Sequence, residues 1–333
     1  MKAFVVTHYG KDGVQARDVP VPTVGHNDVL VKVHASGVNP LDRMVRDGDF
    51  KQLLKYKTPF VLGHDVAGVI TDVGAGVPGF AVGDEVYARP RDMRIGTFAE
   101  YIAIDHADVA HKPASLSMHE AAAVPLVALA AWQILVEKAN IQPGQKVLVH
   151  AGAGGLGSTV IQLAKHLGAH VATTVNGARA ELVRALGADV VVDYTTQDFA
   201  DVLSGFDLVV DSVGEDNLLT SLTVLKPGGL AIGVTGPPDA DFAKQLGAPK
   251  PFEFVLSFLS RKVRNAAKKL RVRYAFFFMQ ASGAQLHQLA ALYDAGRLRP
   301  VLDSTFPFDR TLDALAHLEN GRAKSGKVVV TLD

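Results

Sequence analysis

From Met1 to about Glu120 the chain is written in short apolar runs rich in β-branched residues, such as Val29 to Val33 and Val66 to Val73, punctuated by Gly and Pro pairs. Runs of that length between turn residues predict strands, so this stretch reads as a β-rich domain. After Pro143-Gly144 the pattern changes: VLVH, HVATTV, VVVD, DLVVDS and LAIGVT alternate with segments of helical spacing. Strands that are apolar on both faces and separated by helices predict a doubly wound parallel sheet, hence an α/β fold. The helix after Gly155 is expected to pack one face on that sheet through Leu156, Val160, Leu163, Ala164 and Leu167, and to stop at Gly168. From about Gly283 a helix, FPF, a second helix and a final VVVTL strand return to the first type of sequence. Two domains are therefore expected, residues 1–123 with 283–333, and residues 124–282 between them.

Composition narrows the chemistry. The 333 residues are 48% hydrophobic and 20% charged, enough apolar material for a sizeable core. Thirty-four basic and thirty-four acidic side chains cancel, which removes a whole-molecule field for nucleic acid or an anionic membrane. One local exception stands out: SRKVRNAAKKLRVR carries seven basic and no acidic side chains, with Val255, Leu259, Val263, Ala266 and Leu270 on one helical face. The 252–273 segment reads as an amphipathic helix, either simply solvated or offering peripheral membrane contact; a role in binding nucleic acid is the weaker alternative. The absence of cysteine excludes disulfides, thiolate nucleophiles and sulfur-ligated zinc. MKAFVVTHYG does not read as a signal peptide, so a cytoplasmic location is the expectation.

The strongest chemical signal is VLVHAGAGGLGSTVIQLAKHLGA, where Gly152, Gly154 and Gly157 form G-x-G-x-x-G between an expected strand and an expected helix. In that context Gly152 permits the tight turn, Gly154 lets a pyrophosphate approach and Gly157 lets helix and strand pack. With Ala153, Gly155 and Leu156, these residues form the expected dinucleotide cradle, at the positive end of a helix dipole. About twenty residues beyond the turn, where an NAD site places an acid, the chain reads Asn176-Gly177-Ala178-Arg179. No carboxylate is expected there to repel a 2'-phosphate, and Arg179 can hold one, so NADPH is the expected cofactor; an exposed arginine at a helix start is the alternative.

With these motifs in place the chain resembles the medium-chain dehydrogenases/reductases, specifically their zinc-independent quinone oxidoreductase branch, over essentially its whole length. The resemblance rests on GVNPLD at 37–42, GHDVAGVITDVGAGV at 63–77, GDEVYA at 83–88, the glycine turn and GKVVV at 326–330. The stretch from Val272 to Phe308 resembles reticulon-interacting mitochondrial oxidoreductases and plant enone oxidoreductases. That resemblance implies a GroES-like catalytic domain beside a Rossmann domain, a homodimer joined at the nucleotide sheet edge, and reduction of a small-molecule quinone or enone. His64 stands where zinc-dependent relatives have a ligand, but Asn39 replaces the first cysteine, so no metal is expected. Asn39 is instead expected near the nicotinamide or the substrate oxygen, or is only a turn residue before Pro40.

By the same resemblance Tyr194 lines the 2'-phosphate pocket, Val213 and Gly214 lie beside the nicotinamide ribose, and Gly233 and Val234 lie under the ring. Lys327 is expected to contact the pyrophosphate. Ala130 and Phe50 each lack a hydroxyl that relatives carry. Tyr56 is a candidate proton donor, or a structural tyrosine. The competing readings are a zinc-type alcohol dehydrogenase, which the missing cysteines oppose, and an NADPH-binding protein with a structural or RNA-binding role.

Overall fold

The computed structural model describes residues 1–52, 54–245, 247 and 249–332, with Glu215 described in its backbone only. The chain divides into two compact units, Met1–Leu129 with Gln280–Asp333, and Ala130–Met279.

The first unit is built on strand Asp28–Val38, eleven residues long because its side chains are buried nearly throughout. It pairs antiparallel along one edge with Val66–Val73, and along the other with Tyr101–Asp105 and then with the last strand, Lys327–Thr331. Val29, Val31, Val33, Val66, Ile70, Val86, Ile102 and Ile104 form one core. The register with the last strand runs Val328 opposite Val38 and Val330 opposite Ser36, which brings Lys327 to the level of Asn39. At Asn39 the chain turns into helix Pro40–Asp47, with Pro40 in the first turn. A proline there gives up no hydrogen bond, because that amide lacks a partner in any helix.

The second unit is a six-stranded sheet in the order Val190–Asp193, His170–Val175, Lys146–Val149, Phe206–Asp211, Leu225–Gly233, Arg273–Phe276. Every pairing is parallel. This is the expected doubly wound sheet, with the chain moving outward from Lys146–Val149 in both directions. The helix after the glycine turn runs Gly155–His166 and buries more than the expected stripe, since Ser158, Thr159, Ile161 and Gln162 are enclosed along with Val160, Leu163 and Ala164. Leu156 and Leu167 are only half-buried.

The basic segment departs from expectation. It forms two helices, Lys250–Leu259 and Arg261–Lys269, joined at Ser260. Its buried stripe is Leu256, Ser260, Val263 and Ala267, while Val255, Leu259 and Leu270 face outward. The two stripes share Val263, and the other buried positions fall one residue after the expected ones. Val263 and Ala267 join Phe206, Leu218 and Leu222 in a close-packed core, with Ala266 partly buried against it. Among the described residues no helix is long and apolar enough to cross a membrane.

Candidate active site

In the second unit the glycine turn has the geometry of a phosphate cradle. Ala151 takes φ +53, and helix Gly155–His166 begins immediately after Gly154. A Cβ on Gly152 would lie 2.0 Å from Thr173 Oγ1, and one on Gly157 would lie 2.4 Å from the Ala151 carbonyl oxygen. Those two glycines serve the fold. A Cβ on Gly154 would meet only the Ala151 oxygen, at 3.3 Å, so the space before Gly154 is open. Open space facing a helix start is what a pyrophosphate requires, and the residues present fit a dinucleotide.

Beyond the next strand, Asn176 accepts a hydrogen bond from the Ala178 amide at 3.1 Å and so caps the turn Gly177–Arg179. Here one expectation is corrected: a carboxylate does stand beside this turn. The parallel register sets Val175 opposite Asp193, and a Cβ on Gly177 would lie 2.3 Å from Asp193 Oδ2. Asp193 is held ionised, its pKa lowered first by the Thr195 amide and hydroxyl and further by Gly177. Counting twenty residues along the chain could not find it, because the acid comes from the neighbouring strand. Tyr194, next to it, is 61% exposed.

At the end of strand Phe206–Asp211, buried Asp211 accepts the amides of Val213 at 2.9 Å and Gly214 at 3.0 Å, and the Asn217 side chain at 2.6 Å. Asp211 thus shapes the Val213-Gly214 turn, where Gly214 has φ +138. Gly233 closes the next strand, its carbonyl accepting from Phe277 at 3.0 Å, and the Val234 amide donates to Asp211 at 2.8 Å. Behind the cradle His150 lies between Thr174 Oγ1 at 2.9 Å and Ser221 Oγ at 2.8 Å. Ser221 already donates to the Asn217 carbonyl, so His150 Nε2 carries the proton and Nδ1 accepts from Thr174. Burial lowers its pKa to about 4, against a smaller opposing effect of Asp211.

In the first unit Asn39, Asp65 and Lys327 form one buried network. The Asn39 amide donates to Asp65 Oδ2 at 2.9 Å and to the Gly37 carbonyl at 3.3 Å, and its oxygen accepts from the Lys327 ammonium. Lys327 also reaches Asp65 Oδ2 at 3.0 Å, while Asp65 Oδ1 accepts the Leu126 amide at 2.8 Å. Only one orientation of the amide satisfies both an ammonium and a carboxylate. Asn39 is therefore occupied on both ends, and Lys327 is enclosed with its carboxylate partner rather than projecting from the surface. The pairing of Asp65 with Lys327 and Asn39 was not visible in the sequence, where Asp65 is the acid of the GHD motif at 63–65 and, beside His64, only one of the carboxylates considered for a zinc site.

Beside this network His64 Nδ1 bonds Asp42 Oδ1 at 2.6 Å, and Asp42 Oδ2 accepts from the backbone N–H of Asn39 at 2.7 Å. The donor set does not fit a catalytic zinc: both carboxylates are committed to other partners, no thiolate exists, and only His64 Nε2 remains. Among the described residues no cluster of three or more metal-ligating side chains occurs. Tyr56 is buried, its ring stacked on Phe60 with centroids 4.9 Å apart, and its hydroxyl accepts from the Met93 amide at 3.1 Å. Burial raises its pKa far above that of a free phenol, so the hydroxyl keeps its proton at neutral pH.

The profile of the alcohol dehydrogenase GroES-like domain matches residues 25–114, and that of a zinc-binding dehydrogenase matches residues 186–330. A 2-methylene-furan-3-one reductase of Solanum lycopersicum is 38% identical, the alignment covering 99% of this chain and 79% of that protein. The mitochondrial NAD(P)H oxidoreductase RTN4IP1 of Danio rerio is 35% identical, over 100% of this chain and 91% of that protein. The quinone oxidoreductase structure from Coxiella burnetii superimposes with a TM-score of 0.86 at 30% identity, covering 100% of this chain and 99% of that one. The strand order, the glycine turn and these likenesses agree: the chain belongs to the medium-chain dehydrogenase/reductase superfamily, among its enone and quinone oxidoreductases.

Proposed function

We propose that this protein is a zinc-independent, NADPH-dependent oxidoreductase that delivers a hydride to a quinone or to the β-carbon of an activated alkene. The observation that carries the reading is the glycine turn, open in front of Gly154 and backed by a helix start. Relatives named as an enone reductase, an alkenal/one oxidoreductase and a quinone oxidoreductase support it. NADPH, when bound, supplies the hydride.

The chain's own residues then have distinct tasks. The turn Gly152, Ala153, Gly154, Gly155, Leu156 and Gly157 holds the pyrophosphate against the helix dipole. Asn176, Arg179 and Tyr194 take the 2'-phosphate end, where Arg179 offers a charge-assisted hydrogen bond. Val213, Gly214, Gly233 and Val234, at the ends of adjacent strands, border the ribose and the ring. In place of direct contact with the acceptor or the pyrophosphate, Asn39 and Lys327 act as positioning residues that fix the turn from strand Asp28–Val38 into helix Pro40–Asp47. Tyr56, protonated and buried, is the reading's proton donor for an enolate.

Following NADPH absorbance over a panel of quinones, enones and simple alcohols tests the assignment. Turnover of conjugated acceptors that survives exhaustive chelation is expected; fast ethanol oxidation, or activity that zinc restores, would defeat it. Pairing of two copies along edge strand Arg273–Phe276 completes the reading, and light scattering at only 35.4 kDa would remove it. Exposed Phe254, Val255, Phe258 and Leu259 beside the basic helix support peripheral membrane contact, which sedimentation with anionic vesicles checks. A cytoplasmic location remains the expectation; RTN4IP1 and alkenal/one oxidoreductase relatives carry mitochondrial and chloroplastic names.

A further inference from the structure

Arg89 is an anomaly of the first unit. It follows strand Glu85–Ala88, whose last pair is Ala88 opposite Val66, so it stands one step beyond that pair, at the level of Asp65. Its residue is 1% exposed, yet only Nη2 has an acceptor, Asp92 Oδ1 at 2.7 Å. Nε and Nη1 are buried without a hydrogen-bond partner. A guanidinium cannot shed its charge as a buried lysine can, so a buried charged donor without an acceptor is costly to the fold. Natural cores remove such groups or supply an acceptor.

Two further polar groups gather around it. The Tyr56 hydroxyl accepts from Met93, in the same Arg89–Met93 stretch, and its phenol feels the charges of Asp92, Arg89 and Asp42. His64 Nε2 is likewise buried and unpartnered. The segment after Arg89 is tied to the residue preceding His64, since the Gly63 carbonyl accepts from Gly96 at 3.0 Å and Thr97 at 3.3 Å. An unmet cation, a protonated phenol and an unmet imidazole nitrogen thus share one corner, and an oxygen that develops negative charge matches that set.

We propose that Arg89 is a catalytic residue whose Nε and Nη1 hydrogens bind the carbonyl oxygen of the conjugated acceptor. The inference rests on the hydride-transfer reading above. As hydride adds to the β-carbon, a C–H bond forms there, the alkene pair becomes the bond between the α-carbon and the carbonyl carbon, and the carbonyl pair moves onto oxygen. The resulting enolate oxygen pairs with the guanidinium. The enolate pair then takes a proton at the α-carbon from the Tyr56 hydroxyl, which solvent reprotonates, giving the saturated ketone; the hydride's two electrons would be those supplied by NADPH in becoming NADP⁺.

The test uses Arg89→Gln and Arg89→Lys in the full chain. With Gln, kcat/KM for enones should fall about 10²- to 10³-fold, mostly in kcat, as for loss of one oxyanion donor. NADPH affinity, read by nucleotide fluorescence, should stay within about twofold, since no cofactor-cradle residue changes. Lys should recover part of the loss. Across aryl enones of graded electron demand, the loss should grow with the basicity of the enolate, which a merely structural arginine would not produce. An independent readout needs no turnover: 4-nitrophenolate, a stable oxyanion, should bind wild type at least tenfold more tightly than Arg89→Gln. Equal phenolate affinity overturns the proposal even where enones are reduced, as happens if a buried water alone meets the guanidinium. A wild type that binds phenolate but reduces no enone or quinone defeats the hydride reading instead. Should Arg89→Gln fail to fold, Arg89→Lys carries the same comparisons against wild type.

Discussion

The Lys327 ammonium donates to the Asn39 amide oxygen, 288 positions away in the chain, inside the first unit, and Asp65 Oδ2 accepts from both the ammonium and the Asn39 side-chain nitrogen. The contact exists because the last strand runs antiparallel to Asp28–Val38 and ends its pairing at Val38. It couples the carboxyl-terminal return of the chain to the turn that starts helix Pro40–Asp47.

Lys327→Ala should destabilise the protein strongly, because it strands Asp65 without its buried cation. Loss of one member of a buried pair costs about 3–5 kcal/mol. Asn39→Ala should cost less, near 1–3 kcal/mol for a buried hydrogen-bonding group, since Lys327 and Asp65 still meet directly at 3.0 Å. Urea unfolding of both variants checks the order, and Asn39→Ala should also show a reduced kcat/KM while folded. Equal destabilisation would remove Asn39 from its bridging role.

The three glycines of the turn should separate by phenotype. Gly154→Val should keep the thermal stability of the wild type yet abolish binding of NADPH and NADH, since its side chain enters open space where the pyrophosphate sits. Gly152→Ala and Gly157→Ala should lower the melting temperature, because their Cβ atoms collide with Thr173 and with the Ala151 carbonyl. Cofactor titration by fluorescence beside a thermal scan distinguishes the two classes. Normal nucleotide affinity in Gly154→Val would refute the cradle.

Arg179→Ala should weaken NADPH about 10- to 150-fold, equivalent to about 1.5–3 kcal/mol for a hydrogen bond between charged groups, and leave NADH nearly unchanged. Asp193→Asn probes the acid that the structure adds to this corner: with one negative charge fewer, NADPH should bind more tightly at low salt. Parallel loss of both nucleotides in Arg179→Ala would end the 2'-phosphate assignment.

His150 makes stability depend on pH. Burial lowers its pKa in the folded chain to about 4 from the ordinary 6.5 of a histidine, so the unfolded chain takes up a proton that the folded one refuses. The contribution is complete above pH 6.5 and is lost as pH falls toward 4, amounting to about 3 kcal/mol at about 1.4 kcal/mol per unit. His150→Gln should therefore show a flatter decline in unfolding free energy over that window, measured by urea titration at several pH values. Identical slopes would mean that the imidazole is not held neutral.

Local signals sufficed for much of this protein. The α/β class, the parallel strands and the glycine turn were legible because buried strands, helix starts and tight turns each impose residue types on a few neighbouring positions. The late return of strand-rich sequence after about Gly283 pointed to the two-part organisation, and family resemblance to the chemistry. What the chain could not reveal by position were contacts made across strands: Asp193 beside Gly177, Asp65 beneath Asn39, and Lys327 enclosed rather than exposed. The basic segment shows the same limit: the expected stripe was Val255, Leu259, Val263, Ala266 and Leu270, while the packed unit buries Leu256, Ser260, Val263 and Ala267. Arg89 belongs to no motif of the sequence, and only its burial beside a single carboxylate distinguishes it. Hydrophobic periodicity specifies which element forms. Register and packing, set between segments far apart in the chain, decide which polar groups meet.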